Sequence, residues 1–265
     1  KNNEGEWVLL NGNQTALMFV YYLIIRWKEL GKINGKEYIV KTIVTTETIK
    51  TIAERNGVEM YDVYTGFKWI ANVMRENEGK KNYIGGGEES YGFLCEDFVR
   101  DKDAVSACVI LAEIAAWAKD QGLSLYQLLQ KIYVEYGFSK EKGISVVKKG
   151  KSGAEEIEAM MKKFRENPLT EIAGSKVTYF YDYSTLKGKD YAENETVTLD
   201  MPTTSNVLQY FTEDNTKVSI RPSGTEPKIK FYCEVHSKVK SIDELPEAEK
   251  AAEEKINQIK ASLGI

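Results

Sequence analysis

The sequence predicts an α/β layer followed by a smaller α+β domain, in which helices lie on one side of an antiparallel sheet. Between residues 38 and 76, runs rich in β-branched residues alternate with segments of helical periodicity, the pattern of neighbouring parallel strands. From residue 144 onward, a strand and a helix precede four strands and a terminal helix, which is typical of an α+β domain. The segment 137–143 has a glycine at each end and is the best linker candidate. We therefore predict two domains, at 1–138 and 139–265.

The elements of the first domain follow from local patterns. A helix at 14–30 carries apolar residues at helical spacing and ends at Gly31. Thr46 is a candidate cap for the next helix, and a later helix places Val105 and Val109 on a buried face, with Cys108 in the core. The remaining predictions for this domain are strands at 7–10, 38–45 and 58–64 and helices at 46–56, 66–76, 103–120 and 124–136.

The second domain has fewer helices. Ser152 and Glu155 have the spacing of a capping box, which predicts a helix at 152–166. Residues 184–205 are polar and are predicted to form a long irregular excursion. The remaining predictions are strands at 144–149, 176–183, 207–211, 216–220 and 228–235 and a helix at 245–263.

Composition excludes several classes of function. The 265 residues carry a net charge of −4, which gives no general attraction to nucleic acid or to anionic membranes. The longest apolar run, 16–25, is too short to cross a bilayer. The three cysteines are widely spaced and form no metal-binding pattern, so reduced thiols and a cytoplasmic location are expected. The single histidine, His236, ends a strand and is predicted to be structural.

Residues 221–227 read Arg-Pro-Ser-Gly-Thr-Glu-Pro and lie between two predicted strands. The guanidinium of Arg221 offers donors that match phosphate oxygens, and Ser223 and Thr225 add hydroxyl donors. Gly224 can adopt a positive φ and so turn backbone N–H groups toward one point. This chemistry suits a phosphate-binding loop, and a hairpin turn with an exposed arginine explains the same residues equally well.

Three other stretches stand out in the first domain. Residues 64–69 are predicted to form a turn between a strand and a helix. Residues 84–92 contain three consecutive glycines followed by Glu88, Glu89 and Ser90. Carboxylates accept hydrogen bonds from hydroxyls, so the second stretch suits a polyol. The third stretch, at 98–104, contains Arg-Asp-Lys-Asp. From chemistry alone, residues 64–69 are best interpreted as a structural turn and residues 84–92 as a solvated acidic turn. Residues 98–104 are best interpreted as the start of a helix whose charged side chains pair with one another.

Together and in this order, the four stretches resemble motifs of the α-D-phosphohexomutases, the phosphoglucomutase and phosphomannomutase enzymes. The resemblance covers the third and fourth domains of that family, so the fold expected is a third-domain α/β layer followed by the smaller final domain. It implies phosphate binding by Arg221, Ser223, Gly224, Thr225, Lys68 and Arg100, sugar binding by Thr65, Gly66, Glu88 and Ser90, and proton transfer by Lys102 as the catalytic residue.

The resemblance also shows what this sequence does not contain. Neither the family's phosphoserine loop, of the Thr-Ala-Ser-His-Asn-Pro type, nor its Asp-x-Asp-x-Asp-Arg magnesium loop occurs here, and no metal ligand is assigned. We therefore expect a fragment that starts within a hairpin at Lys1, partners the missing N-terminal domains and is inactive alone. Mg²⁺ and an activator of the glucose 1,6-bisphosphate type would serve the full-length enzyme.

The resemblance implies that the full-length enzyme interconverts hexose 1-phosphate and hexose 6-phosphate, of glucose or mannose, through phosphoserine and a bisphosphate intermediate. Two alternatives stay open. The string Thr-Gly-Phe-Lys-Trp at 65–69 also resembles phosphopentomutases and sugar-bisphosphate synthases, although Ser90 favours a hexose. The chain could instead be a non-catalytic module that binds a phosphosugar.

Overall fold

The structure, a computed structural model, describes residues 1–148, 150–224 and 226–265. The chain divides into two compact units. The first comprises Lys1–Phe138 and Lys238–Leu245, and the second comprises Ser139–Ser237 and Pro246–Ile265. The first contains a mainly parallel sheet with helices and the second an antiparallel sheet with helices, so the predicted fold class is confirmed.

The first unit is built on a four-stranded sheet. Its elements are α1 (Gly12–Glu29), β1 (Glu37–Thr42), α2 (Thr48–Arg55), β2 (Glu59–Val63), α3 (Phe67–Asn77), β3 (Asn82–Gly87), β4 (Phe93–Cys95), α4 (Ala104–Asp120) and α5 (Leu125–Tyr136). The strand order is β2-β1-β3-β4, with β1 parallel to both neighbours and β4 antiparallel to β3. Because β1, β2 and β3 run in one direction, their carboxyl ends share one edge, where open sheets bind ligands.

Apolar side chains from α3 and the sheet form a core in this unit. Ile70 of α3 is fully buried with Val40 and Leu94, and the rings of Tyr38 and Tyr83 lie 5.5 Å apart. All six residues of β1 are buried, as expected for a central strand covered on both faces. This core fixes the strands whose ends carry the candidate motifs.

Glycines allow the backbone of β3 to approach its surroundings closely. A Cβ on Gly86 would lie 2.3 Å from the carbonyl oxygen of Val40, and a Cβ on Gly87 would lie 2.7 Å from the carbonyl oxygen of Gly92. Neither contact is possible without moving a strand. The glycine run is therefore part of the sheet, whereas the sequence presents it as the approach to a loop.

Two sequence predictions for this unit were wrong. Residues 7–10 form no strand, and Trp7 is 86% exposed. The first half of α4 is not buried: Val105 is 74% exposed, Val109 is 61% exposed, and Cys108 is also exposed. Periodicity identifies the apolar face of a helix but not whether a partner covers it. In α4 only the half around Ile114 packs closely in the unit.

The second unit contains an eight-stranded sheet. Its elements are β5 (Phe138–Val147), which starts in the first unit, α6 (Gly150–Glu166), β6 (Glu171–Ile172), β7 (Ser175–Asp182), β8 (Lys187–Asp190), β9 (Glu195–Thr198), β10 (Leu208–Thr212), β11 (Lys217–Pro222), β12 (Lys228–Ser237) and α7 (Leu245–Leu263). The strand order is β5-β12-β11-β10-β7-β8-β9, and β6 pairs with β7. Buried residues of β12, such as Phe231, and of α6, such as Phe164, pack with ring centres 6.3 Å apart.

Three predictions for this unit also need correction. The linker candidate at 137–143 is not a linker, because all but its first residue belongs to β5. The excursion at 184–205 contains β8 and β9, a hairpin that extends the sheet beyond β7. Its strands are polar because they lie at an edge, and Asn194 makes its turn with a φ of 55°. In addition, α6 begins at Gly150, so Ser152 lies inside the first turn and is not the residue that caps it.

A buried charge network lies across β11 and β12. The Nζ of Lys217 is 2.8 Å from one carboxylate oxygen of Glu234, and the Nε2 of His236 is 2.7 Å from the other. Burial lowers the pKa of His236, but the Glu234 carboxylate, with a smaller contribution from Glu141 on β5, outweighs burial and the opposing charge of Lys217, so the net pKa is raised. The same cations hold the pKa of Glu234 low against its burial.

We predict that this network makes the second unit less stable at alkaline pH. A raised folded-state pKa means that protonated His236 contributes stability below its ordinary value of 6.5, and that this contribution is lost as pH rises through the folded-state pKa. Because His236 is the only histidine, its imidazole proton signal in NMR should titrate above 6.5. A midpoint at or below 6.5 would contradict this, and Glu234→Gln should lower the midpoint.

We also predict a graded response to alanine in β3. Gly86→Ala should destabilise the first unit by about 1–3 kcal/mol or more, because its new methyl group overlaps a backbone carbonyl. Gly85→Ala should cost less, since its nearest neighbour would be the Leu23 side chain at 3.1 Å. All four tryptophans lie in the first unit, so urea unfolding followed by tryptophan fluorescence measures both. Equal losses of stability in the two variants would show that overlap with the Val40 carbonyl is not what makes glycine necessary at position 86.

Candidate functional site

The stretch with two glutamates forms the loop of a hairpin. Residues 88–92 connect β3 to the antiparallel β4, and the backbone N–H of Glu88 donates to the carbonyl oxygen of Gly92 at 2.8 Å. Tyr91 has a φ of 73°, and its hydroxyl donates to the carbonyl oxygen of Leu10 at 2.8 Å. The loop therefore has a defined conformation at the carboxyl end of β3, with Ser90 exposed.

Glu88 joins this hairpin to the turn after β2. Its Oε1 accepts a hydrogen bond from the backbone N–H of Gly66 at 2.7 Å. Gly66 precedes α3 with a φ of 112°, a conformation that favours glycine. A carboxylate at the start of a helix is favoured because the unpaired N–H groups and the helix dipole are positive there. Two of the predicted motifs are thus in direct contact.

Lys102 reaches the same place from the segment before α4. Its Nζ lies 5.8 Å from the centre of the Phe67 ring and 3.1 Å from Oδ1 of Asp101. Its aliphatic stem runs beside Gly92, where a Cβ would be 3.2 Å from Lys102 Cδ and 2.9 Å from Glu88 Oε2. The lysine side chain is 53% exposed. A carboxylate oxygen and an ammonium group are therefore both available at this edge of the sheet.

Sequence reasoning missed a buried cation next to this site. Lys41, near the end of β1, is completely buried, and its Nζ contacts Glu47 at 2.9 Å and Asp62 at 2.6 Å. One residue further, the hydroxyl of Thr42 donates to Oε2 of Glu89 at 3.3 Å. A lysine inside an otherwise apolar strand was the available signal, because a buried charge needs partners. These contacts tie the ends of β1, β2 and the hairpin together.

The two predicted phosphate contacts of this unit contact other side chains. Lys68 is exposed, and its Nζ lies 5.0 Å from the centre of the Trp69 ring. Arg100 forms an ion pair with Glu78 at 3.1 Å, at the carboxyl end of α3. Gly66 is at the other end of this 11-residue helix, about 18 Å from Glu78 at the usual helical rise. Thr65, in contrast, is half-buried beside Gly66.

The Arg-Pro-Ser-Gly stretch ends β11 in the second unit. Arg221 is half-buried within the strand and lies directly opposite Lys230 of β12. Ser223 donates its backbone N–H to the carbonyl oxygen of Lys228 at 2.8 Å, and Gly224 has no atom within 4 Å of where a Cβ would be. Gly224 does not use the positive φ that glycine allows. Thr225 lies outside the described residues.

Lys230 is a second cation that sequence reasoning missed. Directly opposite residues of an antiparallel pair project to the same face, so Lys230 and Arg221 share a face. The alternation of Lys228, Ile229 and Lys230 was the available signal, because alternate residues of a strand share a face. Two adjacent cations suit an anion better than one does.

Two further properties concern the described residues as a whole. Among them, no group of three or more histidine, cysteine, aspartate or glutamate side chains could hold a metal ion. In the same ranges, no helix has the length and apolar character needed to cross a membrane.

Two models of one protein family match most of the chain. Residues 11–136 match the model of the phosphoglucomutase/phosphomannomutase alpha/beta/alpha domain III, and residues 145–252 match that of the C-terminal domain of the same family. The chain belongs to the phosphoglucomutase/phosphomannomutase family. The first match contains both the hairpin loop and Lys102, and the second contains Arg221.

Curated relatives in this family are phosphoglucomutases. The chain is 33% identical over 236 residues to the phosphoglucomutase of Staphylococcus haemolyticus, covering 89% of this chain and 42% of that protein. It is 37% identical over 228 residues to the phosphoglucomutase of a bovine strain of Staphylococcus aureus, covering 86% of this chain and 40% of that protein. The chain thus spans about two fifths of the length of the curated relatives it matches.

Solved structures share the fold. The phosphoglucomutase pp63/parafusin from Paramecium, in an open form, aligns with a TM-score of 0.56 at 16% identity, covering 95% of this chain and 42% of that chain. A phosphoglucomutase/phosphomannomutase family protein from Burkholderia thailandensis aligns with a TM-score of 0.56 at 15% identity, covering 97% and 43%.

We predict that Glu88→Ala will expose the Gly66 amide to solvent exchange. A hydrogen bond to a charged group contributes about 1.5–3 kcal/mol, so exchange at Gly66 should accelerate by roughly tenfold to a hundredfold. Amide exchange followed by NMR measures this directly. Glu89→Ala is the matched control, because Glu89 contacts Thr42 instead. Unchanged exchange in Glu88→Ala would show that the bond does not hold in solution.

Proposed function

We propose that the whole protein is a phosphohexomutase, and that this chain supplies its sugar-binding and phosphate-binding residues. The curated relatives of this chain are phosphoglucomutases. Because the chain spans only about two fifths of their length, the mutase activity is proposed for the whole protein. The observation that carries it is the convergence of Glu88, Gly66 and Lys102 at the carboxyl edge of a parallel sheet. The substrate is a hexose 1-phosphate or 6-phosphate of glucose or mannose.

The sugar ring is the proposed ligand of the hairpin loop. Glu88 accepts a hydrogen bond from the N–H of Gly66 through Oε1. Its other carboxylate oxygen, Oε2, is also a hydrogen-bond acceptor, and its proposed donor is a hydroxyl of the sugar ring. Ser90 is exposed in the same loop and donates or accepts through its hydroxyl. Thr65 and Gly66 contact the sugar from the neighbouring turn. Such contacts, remote from the reacting phosphorus, position the reacting hydroxyl.

The non-reacting phosphate is the proposed ligand of the stretch after β11. Arg221 supplies the paired donors, Ser223 and Thr225 supply hydroxyls, and Gly224 leaves the loop uncrowded. The pairing of Arg221 with Lys230 adds a second cation on the same face. Lys68 and Arg100 stay proposed phosphate contacts, which for Arg100 requires exchanging its Glu78 partner.

Lys102 is the proposed catalytic residue. When a sugar hydroxyl attacks phosphorus it must lose its proton, and when a phosphoryl group leaves that oxygen a proton must return. Lys102 Nζ, oriented by Asp101, accepts that proton in its neutral form and returns it. In the whole protein the phosphoryl donor is a phosphoserine, and a bisphosphate reorients between the two transfers. This chain alone is proposed to be inactive because it contains no phosphoserine loop.

The metal and the remaining partners are also assigned to the whole protein. No acidic cluster among the described residues fits a divalent cation, so Mg²⁺ and its ligands, with a bisphosphate activator of the glucose 1,6-bisphosphate type, are proposed for the N-terminal domains. A cytoplasmic location is proposed, consistent with three thiols that form no disulfide.

We predict that this chain binds hexose phosphates and that Arg221→Ala weakens binding roughly tenfold to a hundredfold, because a charge-assisted hydrogen bond contributes about 1.5–3 kcal/mol. Calorimetric titration with glucose 1-phosphate, mannose 1-phosphate and ribose 1-phosphate measures affinity and sugar preference. Arg75→Ala, at an exposed position of α3, is the control. Binding that ignores Arg221 would refute the phosphate assignment, and a preference for ribose 1-phosphate would favour a phosphopentomutase.

A further inference from the structure

The place where Glu88 and Lys102 meet is open because residue 92 is glycine. A Cβ at Gly92 would lie 2.9 Å from Glu88 Oε2, 3.2 Å from Lys102 Cδ and 3.8 Å from Glu88 Cδ. The distance to the Glu88 oxygen is shorter than a Cβ tolerates and the distance to the Lys102 carbon is tighter than usual, so both side chains would have to shift. Both affected side chains are ones to which the proposed function assigns a role.

The need for glycine here is one of space and not of backbone conformation. Gly92 does not have a positive φ, unlike Gly66, so alanine is compatible with its backbone. Its carbonyl oxygen accepts from the N–H of Glu88, which closes the hairpin whatever the side chain. Loss of function in an alanine variant would therefore not be explained by backbone strain.

Glu88 has little freedom to avoid a methyl group. Its backbone N–H is bonded to Gly92 and its Oε1 is bonded to the N–H of Gly66. The remaining oxygen, Oε2, lies against the bare Cα of Gly92. Moving Oε2 away would turn the whole carboxylate and so lengthen the bond to Gly66. On the other side, the Lys102 stem would have to leave Gly92, which displaces its Nζ.

We infer that Gly92 is a positioning residue, whose missing side chain leaves the space in which Glu88 Oε2 and the Lys102 stem are held side by side. This inference rests on the proposed function, because it assumes that Oε2 binds a sugar hydroxyl and that Lys102 Nζ serves the reacting one. It divides the roles of one carboxylate: Oε1 maintains the contact between two loops, and Oε2 faces the ligand.

The test compares Gly92→Ala with Gly143→Ala in this chain. Gly143 lies in β5, has no positive φ and would meet no atom within 4 Å, so it controls for the substitution itself. Gly92→Ala should accelerate amide exchange at Gly66 and weaken glucose 1-phosphate binding roughly tenfold, the loss expected when one charge-assisted hydrogen bond to the ligand is broken. Unchanged exchange in β1 would show that the fold is retained.

A second variant separates a spacing role from a merely structural one. In Gly92→Ala combined with Lys102→Ala, the truncated side chain gives the new methyl group and the carboxylate room to adjust. Protection of the Gly66 amide should then recover in part, so the two substitutions should be non-additive. If Gly92 served only the hairpin backbone, truncating Lys102 would restore nothing, and the inference would be overturned.

The readouts also distinguish this inference from the proposed function. Amide exchange needs no ligand, so normal protection of Gly66 in Gly92→Ala overturns the spacing role whether or not the chain binds sugars. If the Gly66 amide exchanges faster in Gly92→Ala while the affinity for glucose 1-phosphate is unchanged, Gly92 does not position a group that binds the ligand, and the inference is overturned. If the unaltered chain binds no hexose phosphate, the prediction that it binds without the rest of the protein is wrong, while the exchange result still decides whether Gly92 holds Glu88 in place.

Discussion

The hydrogen bond from the Gly66 amide to the Glu88 carboxylate is the interaction on which the candidate site depends. It joins the carboxyl ends of two strands that are not neighbours in the sheet, β2 and β3, with β1 between them. Each partner is held independently, Gly66 by its backbone conformation before α3 and Glu88 by a closed hairpin. The bond therefore fixes a rigid carboxylate at the sheet edge and commits only one of its two oxygens. Rigid placement of this kind is what binding of a polyol with defined stereochemistry requires.

Much of the fold could be predicted because the first unit has strong periodic signals. The apolar spacing of α1 and the β-branched run of β1 gave both elements within a few residues. Weaker signals failed for physical reasons. The three residues of β4 are too short to show a period, and β8 and β9 are polar because they form the edge of a sheet. The apolar first half of α4 was assigned to the core although it finds no cover within the unit.

The candidate site was predictable in its chemistry and not in its contacts. Residue types indicated that Glu88 suits hydroxyls and that Arg221 suits an anion, and the structure places both at strand ends. No local pattern could reveal that Glu88 would bond to Gly66, which is 22 residues away. Equally, the pairing of Arg100 with Glu78 and of Arg221 with Lys230 depends on which elements fold together. Long-range partners are set by topology, which single-residue chemistry does not contain.

Sugar binding beside Glu88 can be tested by mapping amide chemical shifts in NMR while the chain is titrated with glucose 1-phosphate. We expect the largest changes in three stretches, at residues 65–67 and 88–92 in the first unit and at 221–224 in the second. Chemical-shift changes confined to other residues would contradict the proposal that the sugar binds at the carboxyl edge of the sheet, beside Glu88.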